Sequence, residues 1–219
     1  LKNARDDKQS MQKIRDLLID KYNNLWIATS SWGIYYRTLS NPLFKNLSNV
    51  DFREMGLSQN EIISVTGQED GTVWMVVEYA NLFRYVPQTG QLDLVSLPKD
   101  WLHDIYLQNL EMSHDQRHLY IGSSHGVFIY DILTGKLEQM SLSNDPNDYR
   151  VHTSIADLRE DESGRLWVGT WGDGLLCIDN PLTSPAVMLY LSTQTDPCIL
   201  SNQISDMLIK DRSVFLCTT

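Results

Sequence analysis

Four short stretches carry residue types that chemistry uses. Gly122-Ser123-Ser124-His125-Gly126 has the GxSxG spacing of a nucleophile elbow, where a sharp strand-to-helix turn presents the central serine. His114-Asp115-Gln116-Arg117-His118 imitates HExxH, in which two histidines four apart on a helix share a face and bind zinc. Gly169-Thr170-Trp171-Gly172-Asp173-Gly174 is glycine-rich, like a loop that cradles phosphate. Asp161 and Glu162 are adjacent carboxylates, the raw material of acid–base work.

Each chemistry demands a particular element around it. The elbow and the phosphate loop need a helix to follow, and the histidine pair needs to lie on one. The sequence supplies strands instead. VFIYDI follows GSSHG, GLLCID follows the glycine-rich stretch, and HDQRH falls in a turn between two β-rich runs. Acidic residues recur at the place of Asp161 in other segments (Asp20, Glu69 and Asp70, Asp115, Asp211). A residue that recurs in a turn is most simply turn chemistry. The sequence therefore predicts no catalytic residue, no metal site and no cofactor.

What recurs is a whole unit. Aligning on the aromatic of LW gives anchors at Trp26, Trp74, Tyr120, Trp167 and Phe215, spaced 48, 46, 47 and 48 apart. Each unit opens with a short alternating segment, then turn-formers (DKYN, EDG, SHDQ, DESG, KDRS). A second strand follows (LWIAT, VWMVV, LYIGS, LWVGT, VFLCT), then a second turn, a third strand and a short fourth segment such as KLEQM. Only KNARDDKQSMQ near the start admits a helical turn or two. Four-stranded antiparallel units of about 47 residues predict an all-β fold, a β-propeller with blades set radially around a channel. The anchor aromatics are expected between neighbouring blades. The units fall at about 14–61, 62–104, 105–154, 155–203 and an incomplete 204–219. This reads as a partial arc of four to five blades over 1–219, cut from a longer ring, whose raw edges could pair with another copy.

What does not recur is the turn between second and third strands. It offers Trp32, Glu78 with Tyr79, His125, and Trp171 with Asp173. In a propeller this turn shares a face with the linkers into each blade, which add Asn60, His103, His152 and Asn202. These are residue types that grip sugars, with rings on the apolar sugar face and polar groups on hydroxyls; the alternative is that they are blade-packing aromatics and ordinary turn polars.

Bulk properties exclude other classes. The chain has 219 residues, 42% apolar and 21% charged, which is globular composition. A net charge of −10 argues against tracking nucleic-acid phosphates, and no run of about 18 apolar residues exists to span a membrane. Three cysteines show neither CxxC spacing nor a disulfide framework.

Asp161-Glu162-Ser163-Gly164-Arg165-Leu166-Trp167-Val168-Gly169-Thr170, with Gly172-Asp173-Gly174-Leu175 behind it, resembles the two-component regulator propeller repeat. Asp20 to Ile34 is similar, with Ala28 in place of the second glycine. Residues 62–85 and 107–130 are looser. The resemblance implies the periplasmic sensor region of a hybrid two-component histidine kinase, with the transmembrane helix and kinase elsewhere in the receptor chain. It also implies seven-bladed rings and the sensing of glycan-derived oligosaccharides. Two other readings stand beside it: a scaffold propeller whose partners are proteins, including its own copies, and a polysaccharide lyase or hydrolase propeller.

Overall fold

The computed structural model describes residues 13–38, 41–47, 55, 57, 61–98, 104–145 and 147–219. The helical turn expected over 2–12 lies outside them, as do Asn60 and His103. The described residues form five antiparallel sheets in chain order. The first joins β1 (Ile14–Ile19), β2 (Leu25–Thr29), β3 (Ile34–Thr38) and β4 (Asn41–Leu47). The second joins β5 (Ile62–Gly67), β6 (Val73–Val77), β7 (Asn81–Val86) and β8 (Gln91–Val95). The third holds β9 (Leu107–Met112), β10 (His118–Ser123), β11 (Gly126–Asp131) and β12 (Lys136–Gln139). The fourth holds β13 (Ile155–Glu160), β14 (Leu166–Thr170), β15 (Leu175–Asp179) and β16 (Ala186–Leu191). The fifth pairs β17 (Ile204–Lys210) with β18 (Ser213–Thr218). Within each sheet the strands pair in sequence order through hairpins. The fold is an all-β partial propeller with four four-stranded blades.

The anchor aromatics knit one sheet to the next. Trp26 is buried with Ile62, Val65, Val73 and Phe83 of the second sheet, its rings 6.0 Å edge-on from Tyr85. Trp74 lies with Leu110, Leu119 and Phe128 of the third, 6.1 Å from Tyr130. Tyr120 packs with Leu158, Leu166 and Leu176 of the fourth, and Trp167 against Ile204 and Met207 of the fifth. Phe215 departs from the expectation and is 57% exposed. Its side of the sheet is the one that the next sheet covers in the other four, and no sheet follows among the described residues.

The recurrent acid does more than shape its turn. Asp161 accepts the Ser163 and Arg165 N–H groups through Oδ1, and the Trp167 indole N–H at 2.8 Å through Oδ2. Asp20 does the same for Tyr22, Asn24 and, at 3.0 Å, the Trp26 indole. In the second sheet the position is filled by Gln68, which takes the Trp74 indole N–H at 2.8 Å, while Asp70 only closes the turn by accepting the Thr72 N–H. A buried indole N–H needs an acceptor, and the residue six before each tryptophan provides it. Where the anchor is Phe215, which has no N–H, the residue six before it is the apolar Ile209, and Asp211 sits with Arg212 at positive φ in a tight hairpin turn.

The glycine in LWVGT has an equally plain cause. A Cβ at Gly169 would lie 2.7 Å from Ile204 Cγ2, and one at Gly122 would lie 2.8 Å from Ile155 Cγ2. The first isoleucine of each following blade sits on that bare backbone.

Candidate functional site: the turn rim and the channel wall

Three of the four turns between second and third strands are built alike. Thr29, Ser123 and Thr170 each donate a hydroxyl to the carbonyl of the closing glycine (Gly33, Gly126, Gly174) at 2.8–2.9 Å. The same oxygens accept the N–H of Trp32, His125 and Asp173. Ser123 is therefore spent on its turn. Ser124 accepts the Tyr106 N–H and lies 2.9 Å from His125 Nδ1, and the strand β11 follows it, as the sequence predicted.

Each turn is tied to the residue before its blade's first strand. Ser30, Glu78, Ser124 and Trp171 donate N–H to the carbonyls of Lys13, Glu61, Tyr106 and Ser154. This repeated bond places all four turns on one rim of the arc. Trp32 and Trp171 stand nearly half exposed, at 47% and 46%, and His125 is exposed. Glu78 and Tyr79 open the three-residue turn of the second sheet at φ +53° and +60°, a conformation that non-glycine residues adopt at a cost. Tyr79 leans on the second-to-third core, and its ring meets Tyr106 edge-on at 6.3 Å. Tyr106 is 60% exposed and belongs to the same rim, although the sequence reading passed over it. Its signal was present: a lone aromatic in a linker immediately ahead of a first strand. Asn202 serves the rim structurally, taking the Gly174 N–H on its carbonyl and the Thr193 N–H on its side chain. The rim is thus one surface, with a single turn from each blade. Two cavities among the described residues are lined by none of its six predicted residues.

One of those cavities, of about 560 Å³, is the channel itself, walled by the first strands of all five sheets. Each first strand carries a register break, after which one polar side chain faces the neighbouring sheet: Asp16, Ser64, Asn109, Asp157 and Asp206. The first four of these side chains form the joints between blades. Asp16 accepts the Val65 N–H at 2.8 Å and the Ser64 hydroxyl at 2.9 Å. Ser64 accepts the Leu110 N–H at 3.1 Å, Asn109 the Leu158 N–H at 3.2 Å, and Asp157 the Met207 N–H at 2.8 Å. A second tier runs beside it, from Met112 N–H to Thr66 Oγ1 and from Glu160 N–H to Glu111 Oε1. Sequence reasoning missed this wall, because a polar residue within an alternating strand looks like an ordinary solvent-facing position.

Burial sets the charge state of the wall. It pushes the Asp157 carboxyl up to about 7, against the pull of Arg159 and with help from the neighbouring Asp206. It likewise raises Glu111 to about 7, again opposed by Arg159. Burial also raises Asp16. Turn carboxyls go the other way. At Asp161 burial pushes upward, but the Trp167 indole, the Arg165 side chain and two main-chain N–H groups outweigh it and hold the group below the usual range. His118 Nδ1 lies 2.6 Å from Asp115 Oδ2 in the turn where HExxH would need a helix, and among the described residues no three metal-ligating side chains converge.

The two-component regulator propeller profile matches residues 9–31 and 150–172, the openings of the first and fourth blades. Two segments of the chain thus match the two-component regulator propeller repeat. Both matched segments run from the blade's first strand through the anchor tryptophan to the rim turn. Solved structures share the propeller arc. The extracellular domain attributed to hybrid two-component system BT4673 of B. thetaiotaomicron superposes with a TM-score of 0.70 at 22% identity, over 94% of this chain. The corresponding domain of BT3049 from the same organism gives 0.70 at 18% identity, over 96% of this chain. Virginiamycin B lyase of Staphylococcus aureus gives 0.67 at 13% identity and 94% coverage. The chain spans 26% of each of the two extracellular domains and 63% of the lyase. At these identities the likeness is one of fold. No curated protein matches the sequence.

Proposed function

We propose that this propeller is part of the ligand-sensing region of a bacterial two-component receptor and that its turn rim recognises a carbohydrate. The observation that carries the reading is the two-component regulator propeller repeat at residues 9–31 and 150–172, with an exposed tryptophan in the rim turn of each copy or directly after its matched span. Trp32, Trp171 and the Tyr79–Tyr106 pair offer ring faces to the apolar side of a sugar. Glu78, His125 and Asp173 supply polar groups for hydroxyls. On this reading the segment works outside the cytoplasm, without turnover, within a longer receptor that carries the membrane span and histidine kinase. Ligand binding shifts the packing of the propeller against its neighbouring domain, which requires a difference in affinity between two arrangements.

A thermal-shift screen of oligosaccharides on the purified chain, followed by calorimetry on the best ligand, tests the proposal. A sugar that raises the melting temperature is expected. Trp171→Ala and Tyr79→Ala should each weaken its binding by about 1 kcal/mol or more while leaving the fold intact. Undiminished affinity in both variants would remove the rim from the reading. Turnover of the sugar would favour a lyase or hydrolase instead.

A further inference from the structure

Where the third, fourth and fifth sheets meet, one guanidinium serves three carboxyl groups. Arg159 Nη1 is 3.0 Å from Asp157 Oδ1 on its own strand and 3.8 Å from Glu111 Oε2 on β9. Its Nη2 is 3.6 Å from Asp206 Oδ1 on β17. Asp16, on β1 across the channel, adds negative charge that Arg159 also feels. Glu111 faces two further groups: Glu160, whose N–H it accepts, and His114, whose N–H goes on to Glu160 Oε2 at 2.7 Å.

Asp157 is the pivot of this cluster. It is 2% exposed and receives hydrogen bonds from three directions: the Asn109 amide at 2.9 Å, its neighbour Leu158 N–H, and the Met207 N–H of the fifth sheet at 2.8 Å. Asp206, by contrast, is largely open to solvent, yet its Oδ1 accepts the same Met207 N–H at 2.8 Å that Asp157 Oδ2 accepts, which brings the two carboxyls to one hydrogen. Two carboxylates from adjacent sheets beside a single cation leave surplus negative charge at a buried joint. A proton held between them turns that repulsion into a bond.

We propose that the Asp157–Asp206 carboxyl pair, backed by Glu111 and Arg159, is a proton-operated latch between the fourth and fifth sheets, closed when the pair holds a proton and loosened when it does not. The latch lies on the channel wall and makes no use of the rim. The direction follows from linkage. Asp157 and Glu111 bind protons more tightly in the folded chain, at about 7, than the ordinary carboxyl value of about 4 in the unfolded one. Their contribution to stability is complete below the lower value and is lost as pH climbs through the upper one.

The test is a carboxyl-carbon NMR titration of the chain, with amide-exchange protection followed across about pH 5 to 8.5. Asp157 is expected to titrate near neutrality, and Met207 N–H protection to fall about tenfold or more over that range. Met140 N–H, held by the Val127 carbonyl within the third sheet, should stay level and serves as the internal control. Asp206→Asn keeps an Oδ1 able to accept the Met207 N–H, as Asp206 Oδ1 does at 2.8 Å, and removes only the charge. It should lower the Asp157 midpoint and flatten the Met207 response. Glu111→Gln tests the supporting carboxyl separately and should shift the same midpoint less. Titration of Asp157 near the ordinary carboxyl value would overturn the latch. So would an undiminished Met207 response in Asp206→Asn.

Discussion

Asp20 and Trp26 form a pair whose logic recurs down the chain: a large ring is buried between sheets, and the acid six residues earlier accepts its one polar hydrogen. Asp20→Ala would leave that N–H buried and unmatched, at a cost of about 1–3 kcal/mol. The double variant Asp20→Ala/Trp26→Phe should recover part of the loss, measurable as a coupling in urea denaturation. Trp74→Ala should cost more, about 3–5 kcal/mol, since the ring fills the second-to-third core. The recurrence of the acid was legible in the sequence, and so was its structural character. Its partner was not, because a six-residue separation across a turn becomes contact only when the hairpin closes. The substitution of Gln68 for the acid hid the rule further, drawing attention to Glu69 and Asp70 next to it.

At the scale of the element, the hairpins are fixed by what their turns cannot accommodate. Gly126 and Gly174 sit at φ +114° and +86°, and a Cβ on either would lie 2.2 Å from a main-chain oxygen, of Val151 and Leu191 respectively. Gly126→Ala is expected to destabilise by at least about 3 kcal/mol, read from the denaturation midpoint, because backbone rather than a pliable side chain stands in the way. Strand order, the hairpin turns and the even spacing of the anchors could be read from alternation and turn residues. The channel wall could not. Ser64 and Asn109 look like solvent-facing polar positions until the register break turns them toward the next blade. The rim residues were found because they break the repeat, and Tyr106 was overlooked because it lies in a linker rather than in a turn.

At the scale of the molecule, the joints among the described residues link adjacent sheets, so disturbance should stay local. Asp16→Ala removes the acceptor for Val65 N–H and the Ser64 hydroxyl. Amide protection is expected to fall in the first and second sheets and to hold in the fourth, a pattern that hydrogen exchange would display directly. The pH response combines two groups of carboxyls. Asp115, Asp148 and Asp161 are held below the ordinary range, so their stabilisation is present above about 4 and is lost as pH falls through their folded values. Asp16, Asp157 and Glu111 lean the opposite way. Melting temperature should therefore peak on the mildly acidic side of neutrality and decline in both directions.

The register break at the head of each blade has one more consequence. It asks of the side chain that follows only a lone pair at the right height, a request that aspartate, serine and asparagine all meet here. Such a socket filters amino acids loosely, so repeats can drift apart in wording while stacking alike. Of the five copies, two still spell the motif clearly enough for a profile to match, yet all five keep their place in the same curve.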